Sequence, residues 1–173
     1  MENSKKIYIT GISGTGKSTI ARQLKDYSFK VVSIEDIPSL CAWRSKKTKK
    51  FIDYGGKLDE KFIKEHEWIC NVDKLKELMG ESGVIVLGLV SNQDEFLHLF
   101  DEVILLQCPQ DVFIKRIQQR DDNDFGKDVT AQKVILGWYK KFEQEMLNMG
   151  AVSVNTDTSI ENVIKNVLIQ VKK

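Results

Sequence analysis

Hydrophobic positions along the chain alternate between two kinds of segment. Short apolar runs rich in β-branched residues occur at Ile7–Ile9, Lys30–Ile34, Val84–Val90, Val103–Leu106 and Ala151–Val154, and each reads as a strand. Between them, apolar residues recur at helical spacing: Ile20, Leu24 and Tyr27, then Val112, Phe113 and Ile117. A long series, Ile135, Trp138, Phe142, Met146 and Met149, stops at Gly150. The last series, Ile160, Val163, Ile164, Val167, Leu168 and Val171, is preceded by Thr158 and Glu161, which predict a capping box. From Leu58 to Met79 the pattern predicts two successive helices, the first carrying His66 and Trp68 and the second capped by Asn71. A short helix is expected over Asp94–Phe100. Val84–Val90 is apolar without a break, as a central parallel strand covered on both faces must be. Strands alternating with helices, joined by right-handed crossovers, give an α/β fold: a three-layer αβα sandwich on about five parallel strands.

The first strand runs into Gly11-Ile12-Ser13-Gly14-Thr15-Gly16-Lys17-Ser18-Thr19, which fits G-x-x-x-x-G-K-[ST] between a strand and a helix. In that context the pattern is the P-loop of NTP-binding proteins. Its glycines let successive N–H groups of Gly11, Ser13, Gly14, Thr15, Gly16 and Thr19 turn toward a polyphosphate, at the positive end of the helix that opens at Lys17. Lys17 is expected on the β and γ phosphates of ATP, and the Ser18 hydroxyl on Mg²⁺.

Composition changes this picture little. The 173 residues, 42% hydrophobic and 29% charged, suit one domain. A net charge of +1 supplies no field that would recruit nucleic acid or anionic lipid, and neither is an expected partner. Cys41, Cys70 and Cys108 form no C-x-x-C pair, and with two histidines they do not make a zinc site, so they read as reduced thiols of a cytoplasmic protein. No signal peptide is expected at Met1–Lys6, and no apolar segment is long enough to cross a membrane.

Other candidate residues follow from where strands end. In an open parallel sheet the ligand crevice lies at the carboxyl ends, so Glu35 and Asp36 arrive beside the P-loop, as do Ser91, Asn92 and Gln93 after the third core strand. Arg44 can hold an anion. The run Lys46–Lys50 reads as solvated surface. Arg116 and Arg120, four apart, share a helix face, where one guanidinium can stack on a base and the other bind phosphoryl oxygens. Residues 120–130 are polar and predict a mobile loop.

On these motifs the whole chain resembles the small P-loop kinases, the group of adenylate, shikimate and gluconate kinases. In Val90-Ser91-Asn92-Gln93 and Asn123-Asp124-Phe125-Gly126-Lys127 it is most similar to bacterial shikimate-kinase-like or nucleoside-kinase-like ATPases. The resemblance implies a mobile lid at 120–130, an acceptor-binding segment at 38–80, and lid arginines at Arg116 and Arg120. It also implies a loop at Asn155-Thr156-Asp157 whose backbone cups adenine, Asp36 as a general base, and Glu35 in metal or substrate contact. The chain departs from the group in two places: it has neither the Asp-Gly-Phe-Pro-Arg of nucleoside monophosphate kinases nor the triple glycine of shikimate kinases.

The function expected is transfer of the ATP γ-phosphate to a small metabolite such as a nucleoside, nucleotide or polyol, with Lys17, Asp36 and Arg120 catalytic and Mg²⁺ required. The other reading is a nucleotide-dependent ATPase switch or assembly factor acting on a protein or RNA, prompted by Lys46–Lys50. No Asn-Lys-x-Asp motif for guanine is present, which argues against a GTPase. The chain is expected to act as a monomer or a homodimer.

Overall fold

The computed structural model describes residues 5–54, 59–121 and 125–172. Five parallel strands form the central sheet: β1 (Lys6–Thr10), β2 (Val31–Ser33), β6 (Val84–Leu87), β7 (Glu102–Gln107) and β8 (Val152–Asn155), in the order β2-β6-β1-β7-β8. Pairing of Ile7 with Ile85 on one side and with Glu102 on the other puts β1 at the centre. Successive residues of β1 point to opposite faces, and both faces are covered. Ile7 and Ile9 join Ile85, Leu87 and Leu106 under helices α1 (Lys17–Asp26) and α6 (Ile160–Val171). Tyr8 lies on the other face with Val84, Val86 and Phe96 under α3 (Val72–Met79). Beside them, Leu105 packs on α4 (Gln110–Gln119) and α5 (Val129–Asn148) through Phe113, Ile117, Ile135 and Phe142. The expected three-layer α/β fold is present, on five parallel strands.

The stretch between β2 and β6 differs from expectation. Ser39–Gly56 reads as irregular in the sequence, yet β3 (Cys41–Ser45) and β4 (Phe51–Ile52) form there, and with β5 (His66–Cys70) they make a three-stranded antiparallel sheet in the order β4-β3-β5. Helix α2 (Glu60–Glu65) ends before His66, so His66 and Trp68 lie on a strand and not on the helix predicted to carry them. Cross-strand pairing explains the change: Trp68 faces Trp43, with ring centroids 5.1 Å apart, and Glu67 faces Arg44. Such pairs stabilise a strand where local periodicity is ambiguous. Gly55, Gly56, Lys57 and Leu58, the last of which is the predicted start of the first helix, lie outside the described residues.

Smaller corrections concern ends. Helix α6 is capped by Ser159, whose side chain accepts from the Asn162 amide, one residue after the predicted capping box of Thr158 and Glu161. Ser159 has the extended backbone that an N-cap requires. Asp94–Phe100 forms two 3₁₀ turns, Gln93–Glu95 and Leu97–Leu99, around a fully buried Phe96. In the predicted lid, Asp122, Asn123 and Asp124 lie outside the described residues. Farther on in that loop, Phe125 is half-buried and Gly126 is packed against Ile117 and Ile135, so this part has more apolar anchoring than its polar sequence implies.

Candidate active site

The loop from Gly11 to Gly16 leaves β1 at the carboxyl edge of the sheet and enters α1 at Lys17. Its turn depends on backbone angles that favour glycine: Gly14 has φ 85° and Gly16, the N-cap, has φ 98°. Gly14 also has no room for a side chain, since a Cβ there would lie 2.6 Å from the carbonyl oxygen of Phe113 on α4. Thr15 is buried and closes the turn by donating from its hydroxyl to the Ile12 carbonyl at 2.8 Å. The Lys17 ammonium donates to the carbonyls of Gly11 at 2.7 Å and Ile12 at 3.2 Å, across the mouth of the loop. Burial lowers the Lys17 pKa, the Glu35 charge acts to raise it, and the Arg120 charge lowers it further.

A cavity of about 520 Å³ opens over this loop. Ser13, Gly14, Thr15, Gly16, Lys17, Ser18 and Thr19 line it on the P-loop side, Glu35 lines it past β2, and Arg116 and Arg120 line it from the end of α4. Glu35 is held in register by the Leu89 amide, which donates to its Oε1 at 3.2 Å, so the segment after β6 fixes the carboxylate after β2. Asp36, one residue on, is exposed as Glu35 is, but it is not among the described lining residues.

The two arginines are held differently. Arg116 donates from Nη2 to the Thr156 carbonyl at 2.8 Å and from Nη1 to the Thr156 hydroxyl at 3.2 Å and the Gly14 carbonyl at 3.5 Å, tying the P-loop to the loop after β8. Arg120, just past the end of α4, donates to the Ser13 hydroxyl at 3.0 Å and to the Phe125 carbonyl. One guanidinium therefore bridges two loops, and the other lies over the start of the phosphate turn.

Other predicted residues lie elsewhere. The Ser91 hydroxyl accepts from the Trp68 amide at 3.2 Å, Asn92 exchanges hydrogen bonds with the Cys70 backbone, and the Gln93 side chain donates to the Met146 sulfur. Ser91 and Asn92 fasten β5 to the segment after β6, Gln93 ties that segment to α5, and all three are absent from the described cavity lining. Arg44 is paired with Glu67 at 3.0 Å in the antiparallel sheet. Asp157 is exposed and its amide closes a turn on the Asn155 side chain.

The AAA domain family matches residues 7–155, from the first core strand through the last. The chain belongs to that family. No curated protein matches it. Among solved structures, this AAA domain protein is similar to a gluconokinase from Sinorhizobium meliloti, with TM-score 0.61, 13% identity, and 99% of this chain and 94% of the other covered. It is similar to a deoxyadenosine kinase from M. mycoides at TM-score 0.59 and 15% identity, covering 97% and 100%. A sugar kinase from Janibacter sp. aligns at TM-score 0.56 and 16% identity, covering 98% and 95%. At these identities the likeness establishes a shared fold, that of the small P-loop kinases.

The cavity also takes in Thr156, from the loop after β8 that the resemblance marks for adenine, and residues of this AAA domain protein not singled out from the sequence as site residues: Thr158, Ile160 and Val163 at the start of α6, and Arg22 on α1. The carboxyl-end rule that selects Glu35 applies equally to Thr156, which follows β8 directly. For a divalent cation, the Ser18 hydroxyl and the Glu35 carboxylate are hard oxygen donors lining one cavity, the kind of partial set that Mg²⁺ takes alongside phosphate oxygens. Among the described residues, no helix is long and apolar enough to cross a membrane.

Proposed function

We propose that the protein is an ATP-dependent phosphotransferase that moves the γ-phosphate to a hydroxyl or phosphate of a small metabolite: a nucleoside, a nucleotide or a polyol. The observation that carries this reading is the meeting of the P-loop, the Glu35 carboxylate and the Arg116–Arg120 pair in one cavity. The structures that share its fold, a gluconokinase, a deoxyadenosine kinase and a sugar kinase, support it.

In this proposal, main-chain amides of residues 11–19 and the N-terminus of α1 bind the phosphates, and Lys17 exchanges its contacts with the Gly11 and Ile12 carbonyls for phosphate oxygens. Arg120, beside Ser13, neutralises charge that develops on the transferred group, while Arg116 and the Thr156–Asp157 loop set the nucleotide's position. Ser18 and Glu35 would hold Mg²⁺, which adds charge neutralisation when bound. An acceptor hydroxyl needs a carboxylate within hydrogen-bond reach. The place of Glu35 in the cavity wall favours it over Asp36 for that contact. Residues 38–80 form the acceptor side and 120–130 the lid.

The second reading, a switch acting on RNA or protein, draws on Lys46–Lys50. Lys46 donates to the Ile63 and Lys64 carbonyls and Lys49 pairs with Glu67, so part of that run serves its own fold, and no observation favours a polyanion there.

The test is ATP consumption across a panel of nucleosides, nucleotides and polyols. At least one acceptor should raise turnover above the water background, Lys17→Ala should lower that rate by about 10²-fold or more, and Glu35→Gln by at least as much as Asp36→Asn. A panel in which no acceptor exceeds the background rejects the phosphotransferase.

A further inference from the structure

Cys41 and Cys70 stand directly opposite each other on the antiparallel strands β3 and β5. The far edge of β5 shows which kind of pair they form. The Cys70 amide donates to Asn92 Oδ1 at 2.9 Å and the Cys70 carbonyl accepts from Asn92 Nδ2 at 3.0 Å, so both main-chain groups of Cys70 point away from β3. One residue later the Asn71 amide donates to the Leu40 carbonyl at 2.8 Å, toward the β3 side, as strand alternation requires. Cys41–Cys70 is therefore a non-hydrogen-bonded pair. In that class facing Cα atoms are about 4.5 Å apart and side chains approach most closely. A disulfide accepts Cα separations from about 4.4 Å, so the strands need little movement to form one.

The side chains share one face. Both pack in the core cluster that contains Leu40, Val86 and Val90, and both thiols are free. The Cys41 thiol donates to the Ile34 carbonyl at 3.7 Å, and the interaction of the two facing cysteines holds the Cys70 pKa below the ordinary thiol range and, with burial, pushes that of Cys41 up. Cys108 belongs to a different cluster, beside Arg116.

We propose that Cys41 and Cys70 are a redox site: a peroxide or a small disulfide oxidises the pair to an intramolecular disulfide, and a thiol reductant reopens it. With hydrogen peroxide, one sulfur attacks an oxygen, the O–O bond breaks, and a sulfenic acid and water form. The second sulfur attacks the first, the S–S bond forms as the S–O bond breaks, and a second water leaves with the remaining thiol proton. Two thiols lose two protons and two electrons, and one peroxide takes them up to become two waters. The bond closes the segment from β3 through β5 into one loop at its junction with the central sheet. It also removes the Cys41 thiol donor beside Ile34, the residue before Glu35.

The test uses the intact folded chain. After hydrogen peroxide or oxidised glutathione, free thiols should fall from three to one, and peptide mapping should join Cys41 to Cys70 with Cys108 unmodified. The thermal midpoint should rise by about 5 °C or more and return on adding dithiothreitol. Cys41→Ser and Cys70→Ser should each abolish both the link and the rise. Retention of all three thiols under conditions that oxidise a strained dithiol control overturns the proposal, as does a link through Cys108 or between chains. The peptide map of the unmutated chain decides the matter even where a serine variant fails to fold, and it is independent of the phosphotransferase reading.

Discussion

Gly88 shows how much of the site depends on one missing side chain. It follows β6, and a Cβ added there would lie 2.1 Å from Cγ1 and 2.4 Å from Cδ1 of Ile34, which is fully buried. Ile34 precedes Glu35, and Glu35 accepts from the amide of Leu89, the residue after Gly88. The Gly88 carbonyl also accepts from the buried Tyr8 hydroxyl at 2.9 Å. Gly88→Ala therefore overpacks the junction and displaces the carboxylate. It should lower stability by about 1–3 kcal/mol in urea denaturation and lower acceptor-dependent turnover by about tenfold or more, while ATP affinity stays within a few-fold. Equal loss of ATP affinity and turnover would contradict a local effect on Glu35. In the sequence Gly88 is one position in an apolar run, and nothing there shows that it meets Ile34, some fifty residues earlier. The P-loop was legible because its chemistry is local: the amides, Lys17 and Ser18 lie within nine residues. The same holds for Arg116 and Arg120, whereas the place of Thr156 under Arg116 depends on a contact across forty residues.

Among the elements, the central strands were readable because burial on both faces leaves a plain run of β-branched residues. The antiparallel sheet was not, because its strands are short, half-buried and mixed in polarity, and their stability comes from partners distant in sequence. Trp43 against Trp68 and Arg44 against Glu67 are visible only once β3 and β5 are paired. Glu67 accepts from both Arg44 and Lys49 at 3.0 Å. Partial burial raises the pKa of its carboxyl, but hydrogen bonds from Lys49 and Arg44 and their charges prevail and hold it below the ordinary glutamate range. A carboxylate whose folded pKa is lowered stabilises the fold at pH above its unfolded value and loses that contribution as pH falls through the folded value. Glu67→Gln should therefore cost about 1 kcal/mol near neutrality, since the partners are partly solvated. The difference from the unmutated chain should vanish in acid, below the ordinary carboxylate range. Denaturant titrations of both proteins across that range check it, and a difference that persists in acid would assign the effect to packing.

For the molecule as a whole, the strand order β2-β6-β1-β7-β8 brings the exits of β1, β2 and β8 to one edge, so residues 11–19, Glu35 and Thr156 meet although they are far apart in the chain. Alternating strands and helices made that convergence legible in outline, and the right-handed crossover rule fixed its side. A ligand that binds only the assembled cavity must then stabilise the entire domain. With ATP and Mg²⁺ at about a hundred times the dissociation constant, the gain is about 2.7 kcal/mol, or about 5–10 °C in thermal midpoint for a domain of this size. Lys17→Ala should show little of that gain. The effect also has a sign in pH. Before binding, burial holds the Lys17 pKa below the ordinary lysine value, and anionic phosphates raise it. Between the two values ATP binding takes up a proton, so affinity falls as pH rises through the alkaline range and the thermal gain shrinks with it. Calorimetry in two buffers of different ionisation enthalpy should read net proton uptake there for the unmutated chain and none for Lys17→Ala. Proton release, or an affinity flat with pH over that range, would mean that the lysine ammonium does not meet the phosphates.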